Sequence, residues 1–322
     1  MTIPFRDIAA DAASDGILTA EEILSLRGAV WRYGTLDPDE AEALFLANEA
    51  CADPSPEWTE FFVEALGEFI VNTVPPKGYV DQDMGDELIA RIDRDGRVET
   101  MAELELLVRV LETASSTPAS LKAYALCQIE AAVIEGDGPT RHGALEPRGI
   151  NAVEAALLRR TIFSAGGDRP AAVSRAEAEM LFRIKDAALH EVNAPEWEAL
   201  FVQGIANYLL GFGGHEPLSH GRAVELEAFM NSEGAGVGGF LGRMLTAKPD
   251  VSGFGSLLSD APVESDWAEE AEQAAVLEEA EADWLRDRLD ADEELDDLEK
   301  ALIAFIDAET GEAFVPRPSL SA

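Results

Sequence analysis

Apolar residues recur every three or four positions along most of this chain, the spacing of one face of a helix. Thr19 with Glu22 three residues later reads as a capping box, and Ile23, Leu26, Val30 and Trp31 follow at helical spacing until Gly34. Asp37-Pro38 opens a second helix whose inner face is Ala41, Leu44, Phe45 and Asn48, and Pro54-Ser55-Pro56 breaks it. The third carries Trp58, Phe61, Phe62, Ala65, Leu66, Phe69 and Ile70, a face broad enough for the centre of a core. Beyond it, Leu88 to Ile92 and then Leu104, Leu106 and Leu107 flank an Asp93-Arg94-Asp95-Gly96 turn, and a connecting helix is predicted over 120–135. The expected fold class is all-α.

The pattern then returns. Glu40-Ala41-Glu42-Ala43-Leu44-Phe45, Pro56-Glu57-Trp58 and Phe62-Val63 reappear as Glu177-Ala178-Glu179-Met180-Leu181-Phe182, Pro195-Glu196-Trp197 and Phe201-Val202, about 137 to 139 residues later. A duplicated helical unit is expected, with Trp58 and Trp197 as equivalent core residues. The first unit spans 11–136 and the second 142–230. A Gly-rich linker over 231–265 interrupts the second, and the acidic helical hairpin 266–310 completes it, because Trp284-Leu285 and Leu289 echo the run around Leu88 and Ile92. The hairpin's Leu285, Leu289, Leu295, Leu302, Phe305 and Ile306 should then be buried near Trp197.

Charge narrows the function. The 322 residues carry a formal net charge of −39 with 47% apolar residues, enough for a buried core but opposed to phosphate-backbone binding, which needs clustered Lys and Arg. No nucleic-acid or membrane partner is expected; no apolar run approaches the roughly 20 residues of a bilayer span, and no signal peptide is read at the start. Cys51 and Cys127 form neither a disulfide framework nor a zinc pattern, so a cytoplasmic setting is expected.

Candidate chemistry is sparse. Residues 11–22 resemble an EF-hand loop, with Asp11, Asp15, the Ile17 carbonyl, Thr19 and Glu22 at ligand positions and Gly16 at the turn. Ala13 replaces one oxygen ligand, so at most weak Ca2+ binding is expected. Gly234-Ala235-Gly236-Val237-Gly238-Gly239 matches a dinucleotide fingerprint in letters alone, for no strand precedes it. The histidines form no metal pattern, and nucleophile and phosphate-loop motifs are absent, so no enzyme is predicted.

The Asp-Gly turns feeding acidic-headed helices at 11–33 and 86–113 resemble the TerB-like helical family associated with tellurite resistance. That resemblance implies an all-helical bundle, sometimes cation-binding loops and a role in protein assembly. The duplicated pattern as a whole resembles a group of uncharacterised acidic proteins of alphaproteobacteria, which supplies no activity. Residues 260–312 hold 21 carboxylates against Arg286, Arg288 and Lys300, a surface suited to a basic protein partner. Trp267 and Trp284 are candidate anchors there, with Phe240, Leu241 and Met244 as a second binding segment. The expected function is a non-enzymatic interaction or scaffold protein; the alternative is a weak calcium-binding or calcium-responsive protein.

Overall fold

The computed structural model describes residues 5, 7, 9, 18–33, 36–51, 54–141, 149–166, 172–210, 279–289, 295–311 and 313–314. Among these residues the chain is all-α, with eleven helices and no sheet. They are α1 (Ala20–Tyr33), α2 (Pro38–Ala50), α3 (Pro56–Asn72), α4 (Gln82–Ile92), α5 (Met101–Thr113), α6 (Ala119–Glu135), α7 (Ala152–Ile162), α8 (Arg175–Ala188), α9 (Pro195–Leu209), α10 (Glu279–Leu289) and α11 (Asp297–Thr310).

The starts of these helices are written in the sequence. Asp37 with Glu40, Thr100 with Glu103, Asn151 with Glu154, Ser174 with Glu177 and Asp296 with Glu299 form reciprocal capping boxes at α2, α5, α7, α8 and α11. Each satisfies two backbone N–H groups that a helix start leaves open. Thr19 and Glu22 do the same at α1, through bonds in both directions. Pro56 and Pro195 occupy the first position of α3 and α9, where a missing N–H costs nothing.

Trp58 and Trp197 are 0% and 1% exposed, at the centre of a buried cluster that runs continuously through both halves of the chain. Trp58 lies against Phe61 and Phe62, and Trp197 against Phe201. Helix α6 bridges the halves by packing on α7 and α8. Lys122 on α6 is buried there, its Nζ donating to the Ile162 carbonyl at 2.8 Å and pairing with Glu177 at 2.7 Å. Arg160 holds Glu112 and Glu105 across the same seam, and their hydrogen bonds keep its guanidinium above the ordinary arginine range. Gly166 permits the close approach: a Cβ there would stand 2.7 Å from the Leu111 carbonyl oxygen, which accepts the Gly166 N–H.

Helices α10 and α11 are packed into the second half, α11 chiefly along α9. Leu285, Leu289, Leu302 and Ile306 are buried, while Leu295 and Phe305 are half-buried against the core. Counted from its cap at Asp296, Leu302 matches Leu106 as counted from Thr100, and Ile306 matches Val110; all four are buried.

Candidate functional site

Helices α2, α3 and α4 meet at a groove of about 340 Å³. Its walls are Ala41 and Phe45 of α2, Phe69 and Ile70 of α3, Met84 and Leu88 of α4, and Val74 just beyond α3. Val74 is 48% exposed, and Phe69, Ile70 and Met84 are half-buried, so the apolar lining reaches the surface. The charged groups at the groove are Glu42, Glu87 and Arg91. Arg91 is engaged: its guanidinium bonds both oxygens of Glu42 at 3.0 and 3.2 Å, bonds Glu49, and stacks over the Phe45 ring at 4.7 Å. Burial pulls the Arg91 pKa down, but the bonds to Glu49 and Glu42 outweigh it and hold it above the usual value. Arg91 thereby offsets Glu42, and Glu87 sets the sign of the rim.

The corner formed by α8, α9 and α10 has related side chains at matching sequence positions, and a buried indole occupies it. Phe182 stands where Phe45 does, Tyr208 where Phe69 does, Leu285 where Leu88 does, and Arg288 reaches Glu179 at 3.5 Å as Arg91 reaches Glu42. The difference is the wedge. Trp284, in the place of Glu87, sets its indole edge-on to Phe182 at 5.7 Å and to Tyr208 at 4.9 Å, and is 6% exposed. Its Nε1 makes no hydrogen bond of good geometry. The indole nevertheless lies close enough to Glu179 to add to the effects of Arg175, first, and Arg288 in holding that carboxyl below its usual range.

A second polar feature is buried beneath the start of α11. Lys185, 1% exposed, donates to Asp296 at 2.8 Å and Glu299 at 2.7 Å and pairs with Asp186 at 3.0 Å. Burial disfavours the ammonium, yet these three carboxylates more than offset it and raise its pKa. Beside it, His190, Asn193, Glu198, Asp296 and Asp297 line a depression of about 450 Å³ that also touches Trp197. A larger depression of about 470 Å³ between α1, α3 and α5 has Glu64, Glu68 and Arg109 in its walls. Its flank at Val30 and Leu36 borders residues 31–35, whose side chains lie outside the described ones.

Of the residues singled out from sequence, Asp11, Asp15, Ile17, Phe240, Leu241, Met244 and Trp267 lie outside the described residues. Glu22 accepts from the Thr19 amide at 2.9 Å and hydroxyl at 2.6 Å, which aims its carboxylate at its own cap. Trp284 is placed inside the second corner and not on a surface open to a partner. At the second Asp-Gly turn, Asp93 accepts from the Gly96 amide and from the Tyr124 hydroxyl, so both its oxygens are engaged. Burial first, then the neighbouring Asp93, raises the Tyr124 pKa. Among the described residues no group of three or more His, Cys, Asp or Glu side chains is placed to hold a metal ion. No described helix is long and apolar enough to cross a membrane.

The groove residues Val74, Met84 and Glu87 were not picked out from sequence, and Phe69 was read there as core. Their signal was the repeat itself: aligned on its buried positions, Leu88 with Leu285 and Ile92 with Leu289, it sets Glu87 against Trp284. Comparison with known proteins finds no matching family model, no matching curated protein and no matching solved structure.

Proposed function

We propose that this chain is a non-enzymatic binding protein, built from a duplicated five-helix unit, that docks a basic protein partner in the groove between α2, α3 and α4. The observation that carries this reading is the groove itself: an apolar channel that reaches the surface and whose uncompensated charge is negative. The duplication is supported by the recurrence of caps, aromatic pairs and the Glu42–Arg91 and Glu179–Arg288 contacts at matching positions in α1–α5 and α7–α11. The TerB-like resemblance of 11–33 and 86–113, with its association with protein assembly, points the same way.

The surface field favours a cationic partner. Arg91, Arg94, Arg97, Lys122, Arg160, Arg183 and Lys185 are all paired with carboxylates of the chain itself. A net charge of −39 attracts basic segments from a distance, although salt screens that attraction. Apolar contact in the groove supplies what charge alone does not, a fixed register.

The test is a random-peptide selection on the full-length protein with Val74→Asp as the counter-screen. Val74 is at the rim, so a carboxylate there spoils the apolar wall without entering the core. Peptides of net positive charge that bind the natural sequence and lose binding to V74D are expected. A selection yielding only peptides that bind both proteins equally contradicts groove docking.

A further inference from the structure

Among the differences between the two corners, the one at the wedge position, Glu87 against Trp284, describes the ligand. In the second corner an indole fills the space between Phe182 and Tyr208, contributed by Trp284 of α10. In the first, the corresponding walls are Phe45 and Phe69, the floor is Leu88, and the position on α4 that would carry the wedge is Glu87, an exposed carboxylate. We propose that the α2–α3–α4 groove is a receptor for a single aromatic side chain, foremost tryptophan, presented by a partner segment with Lys or Arg beside it. This rests on the groove being the docking surface, and it names what enters.

Three observations bear on the occupant. The walls are of the kind that the chain itself sets against a tryptophan: an aromatic ring from the second helix of the unit and another from the third. Edge-to-face packing of such rings adds to the burial of the indole, which favours an aromatic guest over an aliphatic one. The channel reaches the surface at Val74, 48% exposed, so a ring can enter it from outside.

Charge selects the source of the ring. A second copy of this chain carries −39 and meets Glu87 with like charge. The chain's own Trp267 is flanked by Glu264, Asp266, Glu269 and Glu270, which the same rim repels. A segment with Lys or Arg beside the aromatic residue sets a cation against Glu87 while the ring enters.

The experiment uses full-length protein and fluorescein-labelled Lys-Lys-Gly-Xaa-Gly-Lys-Lys peptides with Trp, Phe, Leu or Ala at the centre, read by anisotropy at low and physiological salt. The Trp peptide should bind about tenfold tighter than the Ala peptide, with Phe between, and the preference should survive salt that weakens all four. Glu87→Trp should build the missing wedge into the protein, raise its melting temperature and abolish the Trp preference; Val74→Asp should abolish the preference without the rise in melting. A Leu peptide that binds as tightly as Trp, with both sensitive to V74D, overturns the aromatic inference and leaves groove docking standing. Four peptides of equal affinity, unaffected by either substitution, overturn both. An E87W protein that melts normally yet keeps the Trp preference shows that the ring binds elsewhere and also overturns the inference.

Discussion

The indole Nε1 of Trp58 donates to the side-chain oxygen of Asn48 at 3.0 Å, and the Asn48 amide donates in turn to Thr100 at 3.1 Å. At the matching positions of the second half stand Trp197, Lys185 and Asp296. A lysine has three donors and no acceptor, so it satisfies Asp296 and Glu299 but offers nothing to an indole N–H. Trp197 Nε1 accordingly has no hydrogen-bond partner among the described residues. The aligned sequence positions thus carry a neutral relay in the first half and a buried ion cluster in the second.

Removing the relay should be felt through the donor it leaves behind. Asn48→Ala strands the Trp58 N–H in a dry core, and about 1–3 kcal/mol of stability should be lost. Urea denaturation checks this; a change below about 0.5 kcal/mol would mean that the bond contributes little.

The ion cluster should be costlier to break and easy to replace. Lys185→Met leaves Asp296 and Glu299 buried without their cation, and a loss of about 3–5 kcal/mol is expected. Lys185→Asn combined with Asp296→Thr rebuilds the first-half relay and gives Trp197 an acceptor. That double variant should recover most of the stability that K185M loses.

Lys185 also sets a pH dependence. Its pKa is raised on folding, so its contribution is complete below the unfolded value of 10.5 and is lost as pH rises through the folded value. Tyr124 and Tyr208, whose pKa values are also raised, add to the loss above about pH 10 because ionisation opposes their burial. Melting temperature should fall steeply above pH 10.5, and K185M should fall less steeply than the natural sequence.

Glu103 has the same sign in an acid pH window. Burial raises its pKa above 4.5 despite the bonds from Thr100. Its raised pKa favours folding when protonated, and that advantage is lost as pH rises from 4.5 through the folded value. Glu103→Gln retains the capping acceptor and lacks the buried charge, so at pH 7 it should match or exceed the natural stability. A loss above about 1 kcal/mol would show that the ionised carboxylate is needed.

These contrasts explain what was legible in the sequence. The caps are local, and Thr100-x-x-Glu103 or Ser174-x-x-Glu177 announces itself within four residues. The core tryptophans sit on broad apolar stripes, which a helical period reveals. Trp284 is different: in an acidic run it resembles a surface anchor, and its partners Phe182 and Tyr208 lie far back in the chain on other helices. The groove is harder still, because what defines it is a side chain that Glu87 does not provide. Only the pairing of Glu87 with Trp284, set by burial at Leu88 and Leu285, exposes it.

The most direct measurement is methyl NMR of the full-length protein during titration with the Trp-centred lysine peptide, following Ile70, Val74, Met84 and Leu88 against Leu285, Leu302 and Ile306. Saturable shifts confined to the first four, absent with the Ala-centred peptide, are the expected result. Shifts spread across the acidic surface, or centred on α10 and α11, would contradict the assignment of the α2–α3–α4 groove as the docking site.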